Sequence, residues 1–281
     1  MHTRGSDNGD RSNRSRVGVS AVGLSCTRHR PLVGLSSRIR NHHRARRHPR
    51  ALLIDAMGTL VRLEAPVLRL CSELQRRFGV VVSEAQAAAA LRAEIAFYRA
   101  HMGDGRDPET LHELRLRCAA VLRDALPADC AALALDELLR SLLASLRFVA
   151  FDDARDALLA VRARGVWVVA VSNWDVSVLE VLEQTGLAPL LDGAVSSAAI
   201  GVAKPSPAVF EHALSLVGAR AADAVHVGDS PSEDVAGALA AGIEPLLIDR
   251  AGDGSRVAGV RTIRSLDELG WPPVAARAGG P

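Results

Sequence analysis

From residue 150 onward, short and almost wholly apolar runs alternate with helical stretches, and this rhythm limits the fold more than any other feature. "VWVVAVS", "AVHVGD" and "EPLLID" read as strands, with a shorter one near "GAVSS". Between them "DDARDALLAVRARG", "WDVSVLEVLEQTG", "SPAVFEHALSLVG" and "SEDVAGALAAG" read as helices. Strands that are apolar on both faces and separated by helices predict a parallel sheet covered on both sides. The fold class is α/β, with a doubly wound parallel-sheet core. Aromatic residues make up only 3% of the chain, which suits such a core better than a β-sandwich.

The first strand of this core comes much earlier, in "RALLIDAMGTL", where residues 50–55 read as a short buried strand ended by a turn at Gly58. The pattern from about 65 to 147 is helical: "APVLRLCSELQRRFG", "SEAQAAAALRAEIAFYRAHMG", "DPETLHELRLRCAAVLRDALP" and "LALDELLRSLLASL". Apolar residues recur three and four apart, and the last three segments begin at or near a Ser or Asp suited to N-capping. Ser83 and Gln86 form the S-x-x-Q of a capping box. One core domain, residues 50–64 and 148–270, is thus interrupted by a helical cap over 65–147 and followed by a flexible tail, 271–281.

Residues 1–49 are expected to be a disordered basic arm. Residues 1–50 hold twelve Arg against two acids, Asp7 and Asp10, and the body that follows is mildly acidic. The run "RIRNHHRARRHPR" could touch nucleic acid through phosphates, but no aromatics interleave with it, and a solvated tail is the better reading. Cys26, Cys71, Cys118 and Cys130 form no CxxC pair. No apolar run approaches the roughly twenty residues of a membrane span. A reduced, cytoplasmic setting is expected.

In open parallel sheets, ligands sit at the carboxyl ends of the strands. Four strands here end in reactive residues: Asp55, then Ser172 and Asn173, then Lys204, then Asp229 with Asp234 five residues on. Asp55 is the candidate nucleophile. Ser172 and Asn173 can donate to an anion beside the next helix. Lys204 is the only Lys among 34 basic residues, which suggests a place that needs a point charge rather than a guanidinium fork. Asp229 and Asp234 beside Asp55 would repel unless a hard cation lay between them. His226, inside an apolar strand, reads as a core histidine. Gly103, Asp104, Gly105 and Arg106 form a loop between cap helices, where a solvated Arg106 is the better reading.

In order and spacing, "DAMGTLV", "VSN", "KPSPAVF" and "GDSPSED" resemble the four motifs of the haloacid dehalogenase superfamily, in the subfamily whose helical cap follows the first strand of a Rossmann-like core. The resemblance implies that Asp55 is the nucleophile and that Ser172 and Lys204 bind the phosphoryl group. It further implies that Asn173, Gly58 and Thr59 meet the substrate. Mg²⁺ would be held by Asp55, the Met57 carbonyl, Asp229 and Asp234. Phosphatases of this family carry an Asp acid/base where this chain has Met57. Its loss typically costs about 10²–10⁴-fold in rate, less when the leaving group is acidic. Acyl phosphates, aryl phosphates and anhydrides are therefore the better expected substrates; the expected partner is a small anionic, phosphorylated substrate, with no membrane. The cap lacks the Lys of phosphonoacetaldehyde hydrolases. The 2-haloacid dehalogenases, with a similar "DAYGT", need no acid and no metal, but an anionic motif IV would oppose a haloacid. A weakly catalytic anion-binding or partner-binding member also stays open, because fold does not decide function.

Overall fold

The computed structural model describes residues 49–254 and 256–270. The expected basic arm (Pro49 excepted), Cys26 and the tail at 271–281 lie outside them. The chain opens with β1 (Ala51–Ile54) and β2 (Val61–Leu63). Then come α1 (Val67–Phe78), α2 (Glu84–His101), α3 (Pro108–Ala125) and α4 (Leu135–Ser145). The core resumes with β3 (Phe148–Ala150), α5 (Ala154–Arg162), β4 (Trp167–Ser172), α6 (Val178–Gln184) and β5 (Gly193–Ser196). Next are α7 (Ser197–Ile200), α8 (Pro207–Val217) and β6 (Ala224–Gly228). A wide helical turn (Pro231–Val235) leads into α9 (Ala236–Ala240), β7 (Glu244–Ile248) and β8 (Arg261–Ile263).

Six strands form one sheet in the order β5-β4-β1-β6-β7-β8, and every pairing is parallel. β1 is central and fully buried. Its alternate residues feed two separate apolar layers. Leu52 and Ile54 pack with Leu158 of α5 and Val178 of α6, whereas Ala51 and Leu53 pack with Val209, Phe210 and Ala213 of α8. Period-two alternation thus lets one strand serve both faces of a doubly wound sheet. From β1 the chain winds outward through β4 to β5, then crosses back to β6 on the other side. A crevice opens at such a reversal, beyond the carboxyl ends of the strands.

α1 to α4 lie between β2 and β3 and bury a core of their own, including Leu70, Leu74, Leu91, Leu114, Leu122 and Leu138. The Ser83–Gln86 capping box is present, and Asp107 caps α3 through Thr110. α4 differs from expectation: its cap position is Ala134, and Asp136 lies in the first turn, where it favours the helix dipole without capping. The helix expected from Trp174 begins only at Val178, because Trp174 and Asp175 turn inward and are buried. β2 and β3 form an antiparallel ribbon that the sequence reading did not contain; each is three residues long, too short to show a period. β8 was likewise absent from it.

Candidate active site

β1, β4 and β6 are neighbours, and their carboxyl ends carry Asp55, Ser172 and Asp229. The loop between α7 and α8 supplies Lys204. The Lys204 ammonium donates to Oδ1 of Asp55 and to Oδ1 of Asp234, each at 2.6 Å. Ser172 Oγ lies 3.5 Å from the same Asp55 oxygen. Asp55, Ser172, Lys204 and Asp234 are each at most 5% exposed. Residues 179 positions apart in sequence thus form one buried cluster.

Burial pushes the Asp55 carboxyl up to about 7 despite the Lys204 ammonium, and Asp234 adds to the rise. Burial works against a charged Lys204, but Asp55 and Asp234 outweigh it and hold its pKa above the usual range. Asp234 goes the other way: burial would raise it, yet His226 and Lys204 hold it well below the carboxylate range. His226 is fully buried, and that burial lowers its pKa and keeps the ring neutral. A neutral ring facing a carboxylate carries its proton on Nε2, which donates to Asp234 Oδ1 at 2.8 Å. The expected core histidine is therefore also a positioning residue. Its strand context alone did not show the carboxylate eight residues on.

Two glycines let these carboxylates approach the backbone. Gly58 has φ +79°, and a Cβ there would overlap the Asp229 carboxylate. A Cβ on Gly228 would overlap Asp234.

Asp55, Asp229 and Asp234 each offer an oxygen within 4.8 Å of the others. Three carboxylates against one ammonium leave the cluster net negative, and hard oxygen donors suit Mg²⁺. Burial and Asp234 also raise the Asp229 carboxyl, against the pull of Lys204. The donor set fits the metal.

The family model for haloacid dehalogenase-like hydrolases matches residues 49–242. The chain belongs to this family. It is a hydrolase. It is 30% identical over 216 residues to the mouse (Mus musculus) haloacid dehalogenase-like hydrolase domain-containing protein 3, a match covering 71% of this chain and 81% of that protein. It is also 35% identical over 98 residues to a ribulose-1,5-bisphosphate 5-phosphatase of Halopiger xanaduensis, covering 34% of this chain and 41% of that one. Among solved structures, the 2-haloacid dehalogenase of Pseudomonas syringae pv. Tomato DC3000 shares the fold, with TM-score 0.55 and 22% identity over 79% of this chain and 96% of that one.

Of the three candidate substrate contacts in this hydrolase, only Asn173 lines the cavity above Asp55. Asn173 spends its amide on the protein: Nδ2 donates to the Lys204 carbonyl (3.0 Å) and to Glu233 (2.9 Å), and Oδ1 accepts from the Lys204 N–H (2.8 Å). It positions Lys204. Thr59 is fully buried and, like Gly58, is not among the residues lining the cavity above Asp55. Gly58 is there for the close approach of Asp229. Met57 does line the cavity and packs against the sheet.

That cavity, about 720 Å³, has the strand ends as its floor and the helical insert as its roof. Glu94, Tyr98 and Arg99 of α2 and Arg115 and Cys118 of α3 line it, and the sequence reading named none of them as site residues. Arg106 is solvent-exposed, as expected. For Glu94 a signal was available: it falls on the buried stripe Ala87, Ala90, Leu91, Glu94 of α2. An acid in an apolar register asks for an explanation.

Proposed function

We propose that this hydrolase is a Mg²⁺-dependent phosphatase working through an aspartyl-phosphate on Asp55, with a preference for good leaving groups. The observation that carries the reading is the net-negative cluster of Asp55, Asp229 and Asp234 around a single ammonium. Such a cluster would repel an anionic substrate unless a cation completed it. A bound Mg²⁺ would supply charge neutralisation for the phosphoryl oxygens, held by the three carboxylates and the Met57 carbonyl.

The Asp55 carboxylate attacks phosphorus, and the ester P–O bond breaks with its electron pair passing to the leaving oxygen. Water then cleaves the acyl phosphate, releasing phosphate and restoring Asp55. Lys204 and Ser172 offset the charge on the transferring group from fixed positions. Met57 has no proton to give, so the leaving oxygen takes one from water. Acyl and aryl phosphates lose least by this. The substrate is a small phosphorylated anion. The thiols of Cys71, Cys118 and Cys130 are free, which supports a reducing, cytoplasmic setting. No described helix is long and apolar enough to cross a membrane.

Met57 alone favours a second reading, a dehalogenase-like hydrolase whose halide leaves without an acid. The anionic cluster weighs against it.

The test is hydrolysis of an aryl and an acyl phosphate with Mg²⁺ and with chelator. Turnover should need the metal and fall at least about 10³-fold in Asp55→Asn. Met57→Asp should raise rates most for alkyl phosphates. Metal-independent turnover of a haloacid, with none on phosphates, would overturn the proposal in favour of the second reading.

A further inference from the structure

The mechanism above uses the floor of the cavity and leaves a buried acid in its roof without a role. Glu94 is 5% exposed and lines the cavity. The polar group beside it is the Cys118 thiol on the adjoining face of α3. A thiol is a weak donor. A carboxyl buried to this degree is normally matched by a cation or by several donors. No ion pair reaches Glu94 among the described residues. Burial pushes its carboxyl up to about 7 and the Cys118 thiol up to about 12, so the pair does not balance itself by proton transfer to the acid from the thiol.

Arg115 completes the arrangement. It sits three residues before Cys118, on the same side of α3, and lines the same cavity half-buried. No ion pair occupies its guanidinium among the described residues. The roof therefore offers an acceptor and a cation whose needs the protein does not meet. Both line the space left for whatever is attached to the phosphoryl group, and about 720 Å³ is far more than a phosphoryl group fills.

We propose that Glu94 and Arg115 form the subsite for the alcohol portion of the substrate, which presents a hydroxyl or ammonium donor to Glu94 and an anionic group to Arg115. The proposal rests on the phosphatase reading and names the substrate class for it: a small phosphate ester that carries both a donor and a second anion. Ionised or neutral, Glu94 keeps an acceptor oxygen, so the donor is recognised in either state. Among esters of equal leaving ability, a purely apolar leaving group would shut Glu94 against hydrocarbon and would be turned over more slowly than one that offers a donor. Sites built to bond a hydroxyl discriminate against analogues lacking it by up to about 10⁴–10⁵-fold.

Three esters separate the two contacts: 3-phosphoglycerate (hydroxyl and carboxylate), glycerol 3-phosphate (hydroxyls only) and propyl phosphate (neither). The wild-type protein should rank them in that order by kcat/KM. Glu94→Leu should cut the ratio of glycerol 3-phosphate to propyl phosphate at least about tenfold, chiefly through KM, and Glu94→Gln, which keeps an acceptor, should recover part of it. Arg115→Gln should shrink the ratio of 3-phosphoglycerate to glycerol 3-phosphate instead. Ratios left unchanged in all three variants would overturn the subsite while leaving the phosphatase intact. If the wild-type protein hydrolyses neither these esters nor an aryl or acyl phosphate, the phosphatase reading fails by itself. Calorimetric binding of 3-phosphoglycerate then decides the subsite: affinity that drops in Glu94→Leu and Arg115→Gln supports it, and absent or unaltered binding overturns it.

Discussion

At the floor of the cavity Asp55, Lys204 and Asp234 answer one another at 2.6 Å, with His226 and Asn173 holding the second rank. In its roof Glu94 has a thiol for company and Arg115 has no ion pair among the described residues. The same cavity is thus walled on one side by a closely bonded polar network with charge to spare for a cation, and on the other by isolated polar groups. A closely bonded network is rigid and resists change. Groups left unmatched cost stability, and they persist where something else will match them. Fixed chemistry below and selective recognition above is the division this predicts.

The sharpest way to break the comparison is to remove the hub of the floor. Lys204→Met leaves Asp55 and Asp234 buried without their cation, and breaking a buried pair in this way costs about 3–5 kcal/mol. Chemical denaturation near neutral pH should show that loss, and added Mg²⁺ should recover part of it by binding the bared carboxylates. Lys204→Arg should not restore the native value, because a planar fork cannot take the place of a point charge between two carboxylates. A variant as stable as the wild type would mean that the floor is no more tightly matched than the roof.

The two regions also differed in how far they could be read in advance. Asp55, Ser172 and Asp229 stand at the ends of apolar strands, and Lys204 and Asp234 in the segments that follow β5 and β6, so strand pattern and parallel-sheet topology were enough to bring them together. The alternation of strands and helices likewise carried the sheet, which is set by period and length. Local detail governed by packing was less legible. Thr59 and Asn173 have polar side chains in the right motifs; Thr59 is walled in, and Asn173 lines the cavity with its amide bonded to the Lys204 backbone. The roof was not legible as a site because α2 and α3 meet only in three dimensions. Glu94 and Cys118 lie 24 positions apart on separate helices, and neither belongs to a local motif. The β2–β3 ribbon joins residues on either side of the whole helical insert, and its strands are too short to announce themselves.

A smaller effect tests how the roof is tied to the floor. The Tyr98 hydroxyl of α2 donates to Asp175 Oδ2 at 2.8 Å, on the loop that follows β4. Burial and the neighbouring Asp175 raise the phenol's pKa, so it stays a neutral donor. Asp175, 2% exposed, would keep only the Ser177 N–H at 2.7 Å if that donor were lost. Tyr98→Phe should cost about 1–2 kcal/mol in stability. It should also raise KM more than it lowers kcat, since the chemistry below is untouched. A fall in kcat at constant KM would place Tyr98 with the floor instead.

The smallest effect concerns the two connectors between the regions. Arg250, just beyond β7, donates to the Thr59 carbonyl at 2.6 Å, where the chain leaves for the helical insert. It also donates to both oxygens of Asp153 at 2.9 Å, where the chain has returned. Its guanidinium lies over the Phe151 ring, 3.8 Å from the centroid. Asp153 accepts in addition from Ser265 Oγ and the Leu266 N–H. Burial opposes its ionisation, but Arg250, Ser265 and Leu266 outweigh that and hold its carboxyl below the ordinary range. A carboxyl depressed in the folded state stabilises the protein above its unfolded value of about 3.9, and that stabilisation is lost as pH falls through the folded value. Asp153→Asn should therefore cost about 1 kcal/mol at neutral pH, allowing for partial solvent screening, and the two denaturation curves should converge towards pH 3 and below. Convergence without any change in KM would show that the connectors are anchored independently of the roof, so that the helices can adjust to substrate over a fixed base. A KM that moves with Asp153 would instead make the anchor part of substrate recognition, and the division between fixed floor and selective roof would have to include the joint between them.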